Sequence, residues 1–320
     1  MQQLPLIEHA GKHGDAIAVR DRGKSYAYDQ LVAQSKRIAR ELLSHQDDLD
    51  EARIAYLVPA GFDYIVVQWA IWQAGGIAVP LSLSATETEL EYTLSDSQSK
   101  RVLVVRELAS KLAQLCDRLG TQLSILEEIT EEIDKEFAGE IDKVATKTLP
   151  EICPSRRAMI LYTSGTTSKP KGVVTTHVNI QAQIETLVQA WHWQAGDCIP
   201  LFLPLHHIHG IINVMSCALW SGATIEAFPQ FQVEPILQRV AARAYTVFMA
   251  VPTIYVKLIQ ALEAATDNQD REIVQGFAEM RLMVSGSAAL PASVHQRWTE
   301  LTGQNLLERY GMTEIGMALS

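Results

Sequence analysis

The chain has 320 residues, 48% of them hydrophobic and 20% charged, with a net charge of −10 and a pI near 5.4. That length exceeds one average domain, and that composition supplies an ordinary globular core. The acidic balance speaks against a broadly basic nucleic-acid surface, and no apolar run reaches the roughly 18 residues of a membrane span.

The N-terminus, Met1-Gln-Gln-Leu-Pro-Leu6, has neither a basic n-region nor an apolar h-region, so no signal peptide is expected. Cys116, Cys153, Cys198 and Cys217 are widely spaced with no CxxC pair. They read as reduced thiols, and a cytoplasmic location is expected.

Residues 16–19 and 26–28 read as short strands. An amphipathic helix follows, with Leu31, Ser35, Ile38, Ala39 and Leu42 on one face and Asp29 as its expected N-cap. Residues 53–58 form a strand, 62–75 an apolar helix stopped by Gly75-Gly76, and 77–79 another strand. A helix over 86–96 and a strand over 101–105 continue the alternation. It implies a parallel α/β sheet covered on both faces. Between 126 and 143, ten of eighteen residues are Asp, Glu or Lys. This stretch is expected to be a solvated helix or mobile connector. The acidic connector, near 126–150, would join subdomains 1–154 and 155–320.

The apolar run Ala158-Met-Ile-Leu161 then enters Tyr162-Thr-Ser-Gly-Thr-Thr-Ser-Lys-Pro-Lys-Gly172. Two Gly, five Ser/Thr and two Lys in one loop suit a polyphosphate cradle: small residues allow close approach, and hydroxyls, amides and ammonium groups meet phosphate oxygens. It does not fit the Walker pattern. The plainer alternative is a polar hairpin turn.

Beyond the loop, residues 177–191 read as a helix. A strand over 197–203 leads into Pro204-Leu-His-His-Ile-His-Gly210. A strand over 222–228, a helix over 233–242, a strand over 245–251 and a helix over 253–264 follow. A strand over 281–284 runs into Ser285-Gly-Ser-Ala-Ala-Leu-Pro291 and a helix to residue 301. The last strand, 305–309, enters Tyr310-Gly-Met-Thr-Glu314. Three polar clusters thus follow strand ends, the edge where open α/β sheets bind ligands. His206, His207 and His209 lack HExxH spacing and a nearby Cys, which weighs against zinc. They read as one packed and two surface histidines, or as neutral pocket groups, the reading preferred for His207 and His209. Ser285-Gly-Ser287 is no GxSxG elbow; it permits close approach of a flat ligand or is a plain strand-to-helix turn. Residues 310–314 offer a ring for stacking, a hydroxyl, and a carboxylate for Mg2+.

Taken together, residues 162–172, 204–210, Val251-Pro-Thr253, 285–291 and 310–314 resemble, in order and spacing, the adenylate-forming (AMP-binding) acyl-CoA synthetase family. Ala70-Ile-Trp-Gln-Ala-Gly-Gly-Ile-Ala-Val-Pro80 resembles an early motif of that family. Residues 247–255, 281–291 and 306–320 look most like its malonyl-CoA synthetase branch. The resemblance covers nearly the whole chain. It implies the family's large N-terminal domain, α/β with mostly parallel sheets flanked by helices in two subdomains.

It also implies a two-step reaction. A carboxylic acid and ATP give acyl-AMP and pyrophosphate, and CoA then gives acyl-CoA. Such a step needs charge neutralisation and positioning more than a nucleophilic side chain. By motif position, Thr163, Ser164, Gly165, Thr166, Thr167 and Lys171 would hold the β/γ-phosphates. Tyr310 and Gly311 would border adenine, and Gly286, Ser287 and Ala288 the nucleotide and acyl side. Thr313 would reach the α-phosphate and Glu314 would hold Mg2+. His207, with His209, would border the substrate carboxylate. Arg309, where many relatives keep a small residue, would pair with the second carboxylate of malonate or methylmalonate. Its alternative is an ion pair with Glu308. Ser168 stands where the family usually has Gly. The family's following barrel, hinge and C-terminal lid domain are expected to be missing or on a separate chain. The other readings are a non-catalytic nucleotide- or acyl-binding module, a fragment of a medium- or long-chain fatty acyl-CoA synthetase, and an amino-acid adenylation domain using Glu234. Small-molecule acid and CoA are the expected partners, with no nucleic acid.

Overall fold

The computed structural model describes residues 4–138, 148–163, 169–264 and 268–319, without the side chains of 134–138 and 268–270. The chain forms two compact units, Met1–Ala16 with Tyr26–Ala182, and Ile17–Ser25 with Gln183–Ser320.

The first unit is built on a six-stranded sheet. Its order is Gln122–Ile125, Arg101–Val104, Arg53–Leu57, Ile77–Pro80, Arg157–Thr163 and Lys171–Thr176. The first five strands run parallel and the last returns antiparallel. The central strands are apolar on both faces, as a doubly covered parallel sheet requires. Helix Phe62–Gln73 is buried almost all round, which its largely apolar sequence favours. Some of its polar atoms find partners inside, while Gln68 Oε1 and Trp69 Nε1 do not: Trp72 Nε1 donates to Ala158 O at 2.7 Å, and Gln68 Nε2 to Tyr56 Oη at 3.0 Å.

Two local expectations change. Helix Tyr28–Leu43 starts two residues earlier than an N-cap at Asp29 requires, with Ala27 at the N-cap. The Gln30 side chain takes the Ala27 N–H at 2.8 Å, which leaves Asp29 in the first turn, where its charge suits the helix dipole. The acidic stretch forms helix Leu126–Ala138 and is not wholly solvated: Leu126, Ile129 and Ile133 are buried on one face. Apolar spacing of three and four residues outweighs charge density there. Residues 139–147 of that connector lie outside the described residues. The break expected at residue 154 falls inside the first unit, because strand Arg157–Thr163 pairs with Ile77–Pro80 in its sheet.

The second unit carries a four-stranded sheet ordered Lys24–Ala27, Ile17–Asp21, Thr224–Ala227, Cys198–Leu201. A parallel three-stranded sheet orders Val247–Ala250, Leu282–Ser285 and Leu307–Glu308. Helices Pro252–Ala264, Asn268–Ala278 and Ala292–Thr302 pack beside it through edge-on aromatic pairs. The Trp298 ring lies 5.1 Å from Tyr255 and 4.9 Å from Phe277. Tyr255 Oη donates to Val284 O at 2.9 Å, fixing this layer to the sheet. Asp197 closes the base of the unit: its carboxylate accepts from Thr246 Oγ1 and Arg281 Nε, each at 2.7 Å, and pairs with Arg281 Nη2. The strand ends Ala250, Ser285 and Glu308 are thereby set side by side.

Candidate active site

In the first unit, strands Arg157–Thr163 and Lys171–Thr176 form an antiparallel hairpin with Thr163 opposite Lys171. The hairpin alternative and the phosphate cradle are therefore compatible: the polar loop is the hairpin's connection. Of the residues expected to hold phosphate, Thr163 is half-buried and Lys171 exposed. Ser164, Gly165, Thr166 and Thr167, with the departure at Ser168, lie outside the described residues.

In the second unit, the polar cluster is built around Arg309. This residue follows strand Leu307–Glu308, and its N–H donates to Ser285 O at 3.0 Å. Successive side chains on an extended segment point to opposite sides. Glu308 accordingly turns away and accepts the Leu290 N–H at 3.0 Å, so the alternative ion pair between Glu308 and Arg309 is not formed. Arg309 is 5% exposed and has no carboxylate partner among the described residues. Its Nη2 donates to Ser287 Oγ at 3.2 Å, and Nη1 reaches Met317 Sδ at 3.8 Å. Its Nε is buried without a partner. Burial lowers its pKa to about 10, which still leaves it charged at neutral pH.

Gly286 explains how a guanidinium fits here. A Cβ at that position would lie 2.4 Å from Arg309 Nε and 2.6 Å from Cζ. Ser287 is held at φ 67°, a left-handed conformation that costs a non-glycine residue energy and is found at ligand sites. That backbone turn aims its hydroxyl between Arg309 and His209, whose Nδ1 lies 3.0 Å away. The hydroxyl oxygen accepts from Arg309 and shares a second hydrogen bond with His209 Nδ1. His209 Nε2 is a second buried nitrogen without a partner. Burial, the Arg309 charge and His207 hold the His209 pKa well below its usual value. The result is a neutral imidazole and a cation, each with a buried nitrogen lacking a partner, and the guanidinium N–H among them suits an anion.

His207 is exposed, and the protein packed round it lowers its pKa. Burial and His207 bring His206 down to about 4. No group of three His, Cys, Asp or Glu able to hold a metal occurs among the described residues, so the zinc alternative finds no support. Thr313 and Glu314 form the turn between strands Tyr310–Met312 and Gly316–Leu319, and Glu314 is exposed. Tyr310 is 58% exposed, its ring available for stacking, while Gly311 is half-buried and Ala288 exposed. Glu234 is exposed on its helix and accepts from Gln238 Nε2 at 2.9 Å.

Sequence reasoning missed Asn213. It lies in π-helix His209–Ser216, 1% exposed, with both amide atoms buried and unpartnered. An i→i+5 helix turns once in between four and five residues, so Asn213 shares a face with His209. The available signal was one amide inside the apolar run Gly210-Ile-Ile-Asn-Val-Met215. Gln183, whose Oε1 takes the Met317 N–H at 2.6 Å, was also missed and had no local signal.

The family model described as AMP-binding enzyme matches residues 6–320. A human protein described as malonate–CoA ligase ACSF3, mitochondrial, is 41% identical over 330 residues, covering 100% of this chain and 56% of its own length. The chain thus spans about half the length of the curated relatives it matches. Among solved structures, ATP-bound MatB from Rhodopseudomonas palustris superposes with a TM-score of 0.83 at 30% identity, covering 99% of this chain and 61% of that one. A malonyl-CoA ligase complex with methylmalonyl-CoA and AMP gives 0.78 at 28% identity, covering 98% and 62%. All four cysteines are free thiols, and no helix among the described residues is long and apolar enough to cross a membrane. The mitochondrial label of the human relative leaves the expected cytoplasmic location without support from it.

Proposed function

Because the chain belongs to the AMP-binding enzyme family, we propose that it forms the nucleotide- and acid-binding part of an ATP-dependent carboxylic acid–CoA ligase whose acid is malonate or methylmalonate. The observation that carries the acid assignment is Arg309: a buried guanidinium with no carboxylate partner among the described residues, beside a neutral His209. One carboxylate of a dicarboxylic acid would accept from Arg309 Nε and His209 Nε2. The other would attack the α-phosphorus of ATP, forming the acyl-phosphate bond as pyrophosphate leaves. The CoA thiol would then attack the acyl carbon and release AMP. Relatives described as a malonate–CoA ligase and as an ATP-bound enzyme support this reading. A long-chain acid would set an apolar tail against an unpaired cation, at a cost of several kcal/mol.

Roles follow within each unit. Thr163, Ser164, Gly165, Thr166, Thr167 and Lys171 take the outer phosphates. Tyr310 and Gly311 border adenine, and Gly286, Ser287 and Ala288 line the path between nucleotide and acid. Thr313 reaches the α-phosphate, and His207 borders the reacting carboxylate. Glu314, an exposed carboxylate at a hairpin tip, fits Mg2+, which takes one carboxylate alongside phosphate oxygens and waters and supplies charge neutralisation.

The test is ATP-dependent pyrophosphate release over a panel of malonate, methylmalonate, succinate, palmitate and glycine, with malonate binding followed by calorimetry. Highest turnover with malonate, lost in Arg309→Ala while ATP binding persists, is the expected result. Equal malonate binding in Arg309→Ala would overturn the acid assignment. ATP binding with no pyrophosphate released from any acid would instead point to a non-catalytic binding module.

A further inference from the structure

The phosphate hairpin is tied to a helix that the catalytic reading leaves unused. Helix Glu87–Ser97 starts with a Thr86 capping box, in which Glu89 N donates to Thr86 Oγ1 at 3.3 Å and Thr86 N to Glu89 Oε2 at 2.7 Å. Tyr92 and Asp96 lie four residues apart on it, hence on one face. Tyr92 Oη donates to Pro170 O at 2.8 Å, on the limb leading into Lys171. Asp96 Oδ2 accepts from Tyr162 Oη at 2.7 Å, on the limb leading into Thr163. The two phenol rings meet edge-on at 6.2 Å, and Lys169 Nζ stands 5.8 Å over the Tyr92 ring. Gly172 completes the fit, since a Cβ there would lie 3.2 Å from Tyr162 Cζ.

We propose that Tyr92 and Asp96 are positioning residues for nucleotide binding, gripping one limb each of the hairpin so that Thr163 and Lys171 stay opposed at its mouth. The proposal rests on the reading of those two residues as phosphate ligands. The geometry favours a role beyond holding the fold. The hairpin limbs are already paired to each other strand to strand, and one of them to the sheet. The phenol–carbonyl and phenol–carboxylate bonds fall at the loop end of the hairpin, where the strand ladder stops at Thr163 and Lys171. Pro170 has no N–H, so its carbonyl is its one backbone hydrogen-bonding group, and Tyr92 takes it. This sets the orientation of the peptide joining Pro170 to Lys171. A binding group fixed beforehand loses less conformational freedom when the ligand arrives.

The discriminating measurement is the affinity for ATP against AMP, by calorimetry on the full chain, with melting curves for each variant. AMP lacks the outer phosphates and does not draw on Thr163 or Lys171, whereas a folding defect would weaken both ligands together. Tyr92→Phe is expected to weaken ATP about threefold to tenfold, the size of one hydrogen bond, with AMP unchanged. Asp96→Ala should behave likewise. Asp96→Asn, which keeps an acceptor oxygen for Tyr162, should restore ATP binding toward that of the parent chain. Unaltered ATP-to-AMP ratios in Tyr92→Phe and Asp96→Ala, in a parent chain that prefers ATP, would overturn the proposal alone. A parent chain with no preference for ATP over AMP would overturn the phosphate-ligand reading and this proposal with it.

Discussion

Arg309 holds a positive charge that is 5% exposed and has no carboxylate partner among the described residues, and proteins keep such a group at a cost in stability. Its neighbours do not remove that cost. Ser287 offers a hydroxyl, Met317 a thioether, and Gly286 only room. Arg309→Met fills a similar volume without charge. It is expected to raise the melting temperature by a few degrees, on the order of 1 kcal/mol or more, while malonate binding is lost. A fall in melting temperature, read by calorimetric scan, would show that the guanidinium stabilises the fold and is not held in reserve for a ligand. Gly286→Ala probes the same contact from the backbone side: a methyl group 2.4 Å from Nε must displace the guanidinium. Malonate affinity should drop at least tenfold in that variant, measured by calorimetry with ATP present.

At the scale of elements, acid sensitivity is written into the start of helix His177–Ala190. His177 is buried edge-on against Trp72, their rings 5.7 Å apart. Burial, with Arg156 nearby, lowers its pKa to about 4. In the unfolded chain the same imidazole titrates near 6.5. Between those values the unfolded state binds more protons than the native one, so stability falls as pH drops from about 6.5 to about 4. His206, also lowered to about 4, adds to the loss in the same window. Each imidazole contributes at most about 3 kcal/mol. His177→Asn is expected to flatten the pH dependence of the melting temperature over that window in part, since His206, His207 and His209 are lowered as well. An unchanged slope would place the acid sensitivity elsewhere. Asp197 acts at lower pH. Burial raises its pKa, but the bonds from Arg281, Thr246 and the Gln194 N–H outweigh it and hold the pKa below the usual carboxylate value. Its contribution is present above that usual value and is lost below it.

For the whole molecule, the path of the chain matters more than the order of motifs. Residues Ile17–Ser25 belong with Gln183–Ser320, although the segments on either side of them belong to the first unit. Val19, Arg20 and Asp21 pair in parallel with Ile225, Glu226 and Ala227, and Thr224 Oγ1 donates to Ile17 O at 2.9 Å. A fragment of residues 183–320 would therefore expose an unpaired edge in the middle of its sheet. Such a fragment is expected to lack fixed tertiary structure, and a peptide of residues 14–28 added in trans should restore amide dispersion in its NMR spectrum. Native-like spectra from the fragment alone would show that the inserted strand is dispensable.

How much of this was legible beforehand follows from the range over which each feature is encoded. Alternating strands and helices depend on periodicity within a dozen residues, so the parallel α/β class could be read directly. The antiparallel hairpin of strands Arg157–Thr163 and Lys171–Thr176 was equally legible, because an apolar strand, a Gly/Ser/Thr/Lys loop and a returning strand are contiguous in the chain. Arg309 stood out because it precedes Tyr310 in a recognisable motif. What covers Arg309 was not legible. Ser287 lies 22 residues away from it, and 78 from His209. The grip of Asp96 on Tyr162 spans 66 residues. Nothing local specifies such pairs; they arise when the sheet order makes neighbours of particular strand ends. The sequence by itself determined the element types and the chemistry available at each strand end. Only the tertiary structure decided which donors are left without partners, because satisfaction of a buried polar group depends on everything packed around it.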